Sequence, residues 1–508
     1  MVSKFLKVSN MRNRLIHLYP FTVLLLGMIV TQVLATVHVY LSNTDLYNSL
    51  MAIKDAGYLT IPNKNVMGSL KNFGTAFCGG LFFTFSIGAG ISFFALASAW
   101  IWDRFFYRNK YLLYLFLLLW LGCLLALNFH GFKLFVTLYF LMIPPAVFAV
   151  TTKSLSHLNK QSRRPNEIIH IIPVIVLALF LSWQMDSRMF TDFRDILLLS
   201  NPVGSKINNF YYKYTLYPAE VFKSLDQKML KTFRIGNKEK NASTPTLEQI
   251  LINYDYIPIK SNFEVDLKVT PVDDDFIFEN RGGPLLRISS KKFFTNPDRT
   301  IKEFAKKSDS YPFFRQVTFL SLLIAFPLAI YVIVQGLISF ALSLFFSVRA
   351  SSVIASALCF ILCLILFFSF HLNRSRDVST ENIANALNSD RWQNRVAALK
   401  IIENKGFEVK QFQAYPRLLA SPHIAERYWI VRTLANSRNP ATYRDLLSFL
   451  NDTHPNVFSM ALYALGKRGN KQAINKIIPI IETSNDWYSQ WYAYNALRAL
   501  GWRQTKLN

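Results

Sequence analysis

Acidic residues are the scarce charge in this chain: 31 Asp and Glu stand against 56 Lys and Arg over 508 residues, a formal charge of +25. The surplus does not describe a nucleic-acid binder, because the basic residues are spread over loops between apolar spans and form no Lys/Arg run with interleaved aromatics. Anionic lipid headgroups or an acidic partner are the expected counter-charge. Cysteine is scarcer still. The four cysteines, Cys78, Cys123, Cys359 and Cys363, all lie inside apolar segments, which excludes a disulfide framework and a zinc spacing. Cys359 and Cys363, one helical turn apart, read as small hydrophobes. Gly-x-Ser-x-Gly, a P-loop, Gly-x-Gly-x-x-Gly after a strand and His-Glu-x-x-His are all missing. Asp273-Asp274-Asp275 lacks the Asp-x-Asp-x-Asp-Gly form of a calcium loop and reads as a solvated turn. The apolar spans carry almost no charge, with Asp103 and Asp186 only at their edges, which disfavours a proton- or ion-coupled transporter.

What is abundant is apolar surface. Hydrophobic residues make up 52% of the chain and aromatics 15%, a composition that excludes an ordinary soluble protein and indicates a polytopic α-helical membrane protein. Seven spans are expected, at about 20–41, 73–101, 111–129, 132–150, 168–185, 317–346 and 351–372. The first follows a basic N-terminus, residues 1–19, with Lys4, Lys7, Arg12 and Arg14 and no acid. Its apolar run is too long for a signal peptide and Val33-Leu-Ala-Thr is a poor cleavage site, so it reads as an uncleaved anchor. In the second span Gly80, Ser86, Gly90, Ala95 and Ala99 supply the small residues that let helix backbones approach, and they are the candidate helix-packing positions. Pro144-Pro145 should kink the fourth. Basic residues before span one, between spans two and three, and between spans four and five place the N-terminus in the cytoplasm.

The expected organisation is therefore a basic cytoplasmic segment (1–19), a five-helix membrane region (20–185), an extracytoplasmic α+β loop domain (186–316), two further spans (317–372) and a C-terminal domain (373–508). In the loop domain, 192–234 carries apolar residues at three- and four-residue steps (Ile207, Phe210, Tyr211, Tyr214, Tyr217, Val221, Leu225, Met229), the pattern of amphipathic helices skirting a membrane surface. Alternation in Phe263–Val269, Phe276–Phe278 and Leu285–Ile288, with turns at 271–275 and 281–284, predicts strands. Glu220 and Asp226 beside Lys223 and Lys228 read as charge pairs on a helix.

Between Ser379 and Trp502 one phrase returns four times: a turn with Ser, Asn or Asp, then a helix with small and aliphatic residues on one face. Aligned on Ile402, Leu434, Leu465 and Leu500, the offsets are 32, 31 and 35, the period of a two-helix solenoid unit, and a second helix follows the phrase at 441–450 and 472–481. The third unit carries Asp452, Pro455, Ala461, Leu462, Gly466, Gly469 and Ala473. On these residues the stretch 379–501 resembles HEAT-like repeats of the phycobilisome-lyase type. The resemblance implies an all-α solenoid whose units bind proteins or support a neighbouring domain, a surface more than a reaction.

Two sets of candidate site residues follow. Trp487, Tyr488, Trp491 and Tyr492, with Tyr494 and Trp502 nearby, serve either as the cap of the last repeat or as anchors for a partner. Arg427, Arg432 and Arg468 belong to the basic residues that would face that partner. His38, His130 and His371 fall at the outer ends of spans one, three and seven and could ligate a metal or haem, although no His-x-x-x-His spacing supports it and no cofactor is expected. The function expected is a non-enzymatic scaffold in the inner membrane of a bacterial cell. Its loop domain and periplasmic repeats would dock a protein partner in envelope assembly or export. The alternatives are a membrane enzyme or transporter for a lipid-linked substrate, with Asn128, Gln184 and Asp186 at its rim, and a haem or metal-binding membrane subunit.

Overall fold

The computed structural model of the protein describes residues 18–159, 189–236, 244–260, 264–374 and 378–506, with scattered positions between 173 and 182. The chain divides into two compact units, Met1–Leu41 with Phe73–Ser187 and Ser310–Ser369, and Ser42–Asn72 with Arg188–Asp309 and Phe370–Asn508.

The first unit is built from helices. Among the described residues six helices of the chain are long and apolar enough to cross a membrane: Tyr19–Asp55, Phe73–Arg104, Lys110–Asn128, Leu134–Ser156, Pro312–Ser343 and Val348–Asn373. The fifth expected span, 168–185, lies mostly outside the described residues, and its described positions are helical. The basic residues of 1–17 lie outside them too. The first helix runs to Asp55, well past the expected end near residue 41. The polar stretch stays helical because Leu50 and Ile53 recur at helical spacing and are buried.

Small residues set the packing of the bundle. A Cβ on Gly90 would collide with Ser321, and one on Gly80 would lie 3.2 Å from the Thr36 nitrogen. Ser86, Ala95 and Ala99 are buried on the same helix, and Ser86 Oγ donates to the Phe82 carbonyl at 2.6 Å. Ser86 and Ser321 each lie in a π-helical turn, Thr84–Gly88 and Ser321–Ala325, and the two turns pack on each other. At Pro144-Pro145 the helix Leu134–Asn159 continues unbroken. Pro144 cannot donate to the Phe140 carbonyl, and the Trp120 indole supplies the missing bond at 2.7 Å.

The second unit contains a five-stranded sheet: β1 (Lys231–Ile235), β2 (Tyr256–Pro258), β3 (Leu267–Val272), β4 (Asp275–Asn280) and β5 (Gly283–Ser289), in the order β2-β1-β3-β4-β5. β1 pairs in parallel with β2 and β3, and β3-β4-β5 is an antiparallel meander. Phe233, Phe278, Phe293 and Phe304 are fully buried between the sheet and the helices Ser290–Thr295 and Pro297–Ser308. The expected hairpin turn is tighter than the sequence indicates: β3 runs through Pro271-Val272 and the chain reverses at Asp273, whose φ of 52° is left-handed. Within 192–234 the chain is helical at Met189–Phe193, in the π-helical turn Arg194–Leu198, and at Pro202–Tyr214, Leu216–Ala219 and Leu225–Gln227. One expectation there is corrected: Lys231–Ile235 is a strand, because parallel partners distant in sequence claim its backbone. Lys223 does pair with Glu220, whereas Lys228 reaches across to Asp266 at 2.7 Å.

In the C-terminal region four long helices, Trp392–Lys405, Ile424–Leu434, Pro455–Arg468 and Trp487–Ala499, stack in sequence, flanked by the shorter Ile383–Leu387, Tyr415–Leu419, Ala441–Ser448 and Ile474–Thr483. The close stack depends on small residues: a Cβ on Gly466 would sit 3.0 Å from Ala496 Cα.

Candidate interaction site on the repeat array

The charged residues of the repeats first serve the array itself. Arg395, on the first long helix, donates to the carbonyls of Ser389 and Asp390 in its own entry turn and pairs with Glu426 of the next unit at 2.6 Å. Thirty-two residues on, Arg427 repeats the arrangement, bonding the carbonyls of Ser421 and Pro422 and pairing with Asp452 at 2.7 Å. Arg432 reaches back to Glu403 at 3.0 Å. Arg468 donates to the carbonyls of Leu434 and Asn439 and to the Thr442 hydroxyl. The three arginines read from sequence as facing a partner are therefore engaged in bonds between units. Each spans the gap between consecutive repeats, where a fork of donors satisfies helix-end carbonyls and a carboxylate together.

The array also holds the loop domain. Asp192 and Asp195 lie one helical turn apart, are 3% and 1% exposed, and present both carboxylates to one side. Asp192 receives Arg374 Nε at 2.8 Å and Lys400 Nζ at 2.7 Å. Asp195 receives Arg194 at 2.6 Å and the Trp429 indole at 2.7 Å, with Lys400 3.8 Å away. The Arg194 guanidinium stacks 3.8 Å over the Tyr428 ring. Burial disfavours the Arg194 charge, but Asp195 and Tyr428 outweigh it and hold the guanidinium above its ordinary range. Isolated charges at this depth would be prohibitive; they persist because each carboxylate meets two donors. This cluster escapes sequence reasoning, although a trace exists: two acids three residues apart in an acid-poor chain, and Lys400 set among Ala397, Ala398, Leu399, Ile401 and Ile402.

A second seam lies along the Pro202–Tyr214 helix. Asn208 exchanges amide bonds with Asn456, the shorter at 2.7 Å, and the Tyr212 hydroxyl accepts from Asn456 at 2.9 Å. Gly204 lets this helix close on the turn that precedes it, since a Cβ would strike the carbonyls of Leu197 and Leu198. Beside this seam His454 accepts from the Asn456 amide through Nδ1, and burial pushes its pKa down to about 4.

The terminal aromatics are part of the same seam. Trp487 is buried edge-on against Tyr217 at 5.0 Å, and Tyr488 packs on Tyr212 at 4.4 Å. Trp491 and Tyr492, half-buried, pack on each other and on Tyr488. Tyr494 donates to Asp255, which Arg498 also meets at 3.1 Å. Asn63 donates to the Ile481 and Glu482 carbonyls, and Gln504 exchanges bonds with the Leu59 backbone. The last repeat is therefore not left with an open apolar face. Segments 58–65, 208–223 and 253–256 cover it, so Trp487 and Tyr488 anchor the chain's own loop domain.

The three histidines differ in their surroundings. His38 is buried against Phe135 at 4.8 Å with the Tyr139 hydroxyl 3.4 Å from Nδ1, whereas His130 and His371 are exposed. Among the described residues no three His, Cys, Asp or Glu side chains gather as a metal site would require. Asn128 caps its turn, accepting from the Lys133 amide and the Thr137 hydroxyl; Gln184 and Asp186 lie outside the described residues.

An open groove remains at the C-terminal ends of the long helices, about 760 Å³ in volume and lined by Glu403, Asn404, Lys405, Gly406, Glu408, Asn436, Arg438 and Lys467. Its carboxylates are already satisfied, Glu403 by Arg432 and Glu408 by the Ser437 hydroxyl and the amides of Arg438 and Asn439. Lys405, Arg438 and Lys467 are exposed, and their side chains make no ion pair among the described residues. Three such cations against Glu408, the one lining carboxylate without an ion pair among the described residues, leave the groove net positive.

A family profile describing HEAT repeats matches residues 413–498, which takes in the second, third and fourth long helices. Neither a curated protein nor a solved structure matches the chain.

Proposed function

We propose that the chain is a non-enzymatic membrane scaffold whose loop domain and HEAT repeats act together as one docking body for a protein partner. The observation that carries the proposal is the cluster at Asp192 and Asp195, which ties the loop domain to the first two long repeat helices through buried ion pairs. HEAT arrays commonly present an extended surface to other proteins. Here much of that surface is spent on the loop domain, and the groove with Lys405, Arg438 and Lys467 is left for an acidic segment of the partner.

Parity supports seven spans. The second unit gathers Ser42–Asn72, Arg188–Asp309 and Phe370–Asn508, and a body of this polarity lies on one side of a bilayer. An even number of crossings must then separate its segments. Two, Pro312–Ser343 and Val348–Asn373, lie between the second and third; three, Phe73–Arg104, Lys110–Asn128 and Leu134–Ser156, lie between the first and second. Parity then calls for a fourth crossing between them, and the apolar stretch 168–185 is long enough in sequence to supply one. With the basic loops inside, the docking body is extracytoplasmic, which suits an inner-membrane protein of a bacterial cell acting in envelope assembly or export.

The test is photo-crosslinking at native expression level from a probe at Asn404, followed by mild-detergent purification. One defined protein should be captured, and capture should fall at least tenfold in the triple variant Lys405→Glu, Arg438→Glu, Lys467→Glu. A chain that purifies alone, or capture indifferent to the triple substitution, overturns the proposal.

A further inference from the structure

The Pro202–Tyr214 helix has two working faces. At about 100° per residue, Gly204, Asn208 and Tyr212 share one side, the side that meets Asn456 and Tyr488. Val203, Ile207 and Phe210 share another and are 69%, 55% and 43% exposed, with Tyr211 beside them at 53%. A stripe of large apolar side chains left in water costs about 25 cal/mol per Å². It is retained here on a helix whose far side is fixed by hydrogen bonds.

Charge identifies what covers the stripe. Lys206 and Lys213 are exposed and fall together along one border of it, and no acidic residue occurs between Asp195 and Glu220. An apolar stripe containing Tyr and edged by lysines that can extend to headgroups has the composition of a helix lying in the bilayer interface. The preceding apolar stretch, 168–185, ends only 17 residues before the helix begins.

The geometry points to the Pro202–Tyr214 helix as an interfacial anchor: Val203, Ile207 and Phe210 enter the acyl boundary of an anionic bilayer, Lys206 and Lys213 pair with its phosphates, and the opposite face grips the third and fourth repeats. The docking body is thereby braced against the lipid surface as well as tethered by its spans. This rests on the bilayer placement proposed above.

The experiment uses the full chain with its four cysteines replaced, reconstituted in nanodiscs of phosphatidylcholine and phosphatidylglycerol, with single nitroxide labels at Ile207, Phe210, Asn495 and Leu118. Leu118, exposed on the Lys110–Asn128 helix, reports bilayer insertion by itself. Labels at Ile207 and Phe210 should show a ratio of oxygen to nickel-chelate relaxation several-fold above that at Asn495. The double variant Lys206→Glu, Lys213→Glu should lower that ratio in anionic discs and leave it unchanged in phosphatidylcholine alone. Nickel accessibility equal to that of Asn495 overturns the inference, as does shielding from both reagents, the mark of a protein cover. Failure at Leu118 instead strikes the membrane placement.

Discussion

At the scale of single residues the account depends on Asp192. It is the nearest counter-charge of Arg374 and Lys400, so Asp192→Asn takes the close carboxylate from both and leaves Lys400 with Asp195 at 3.8 Å. Breaking such a pair costs about 3–5 kcal/mol. Hydrogen exchange of the Trp392–Lys405 amides should show a loss of that order in opening free energy. Lys400→Met should lose less, because Asp192 keeps Arg374 and Asp195 keeps Arg194 and Trp429. His454 gives a pH dependence. Its folded pKa, about 4, lies below the ordinary 6.5, and protonating Nδ1 abolishes its bond from the Asn456 amide. Below pH 6.5 the unfolded chain takes up a proton that the folded chain refuses, so stability falls from pH 6.5 to 4. Asp452, Arg427 and Arg194 face the ring, and the two arginines add to the cost of charging it. His454→Asn, still a competent N-cap, should flatten the slope in melting curves taken across that range. None of these roles was legible beforehand, since the sequence shows which residues are charged but not which partner a fold brings to them. Arg427, Arg432 and Arg468 illustrate the point: basic and apparently free in one dimension, they are struts in three.

At the scale of elements the sequence is a better guide. Apolar length marks six described spans and the 31–35-residue recurrence marks the long helices, because both depend on local pattern. β4 and β5 follow from alternation and turn residues, and β3 only in its first half, since it starts at Leu267 and runs into the stretch expected to turn. β1 and β2 are missed, since what holds them is parallel pairing, a non-local fact. The Pro202–Tyr214 helix is readable as amphipathic, but the sequence does not say which half of it meets the repeats. Asn208 and Tyr212 make that contact, while Gly204 lets the helix close on the turn before it, where the Cβ of Gly204→Val has no space between the Leu197 and Leu198 carbonyls. The variant should lift the helix, exposing Asn208 and Asn456 to exchange and making 200–215 sensitive to protease. Unchanged protection there would mean that this seam does not hold the helix.

At the scale of the whole molecule the loop domain and repeats, separated in sequence by two spans, form one unit together with Ser42–Asn72. The order of apolar stretches leads to the expectation that they share a side, but gives no sign that the repeats use their own anchors, Trp487 and Tyr488, to hold the loop domain. The sequence offers these aromatics equally as cap or as partner surface, and only the rings of Tyr212 and Tyr217 against them decide. The central claim, a single docking body on one membrane face, is tested most directly by labelling with a membrane-impermeant maleimide in cells expressing cysteine-free chain with one cysteine introduced at Gly282, Asn495 or Lys110. Gly282 and Asn495 should both react in intact cells, and Lys110 only after permeabilisation. Gly282 and Asn495 reacting from opposite sides would contradict the claim.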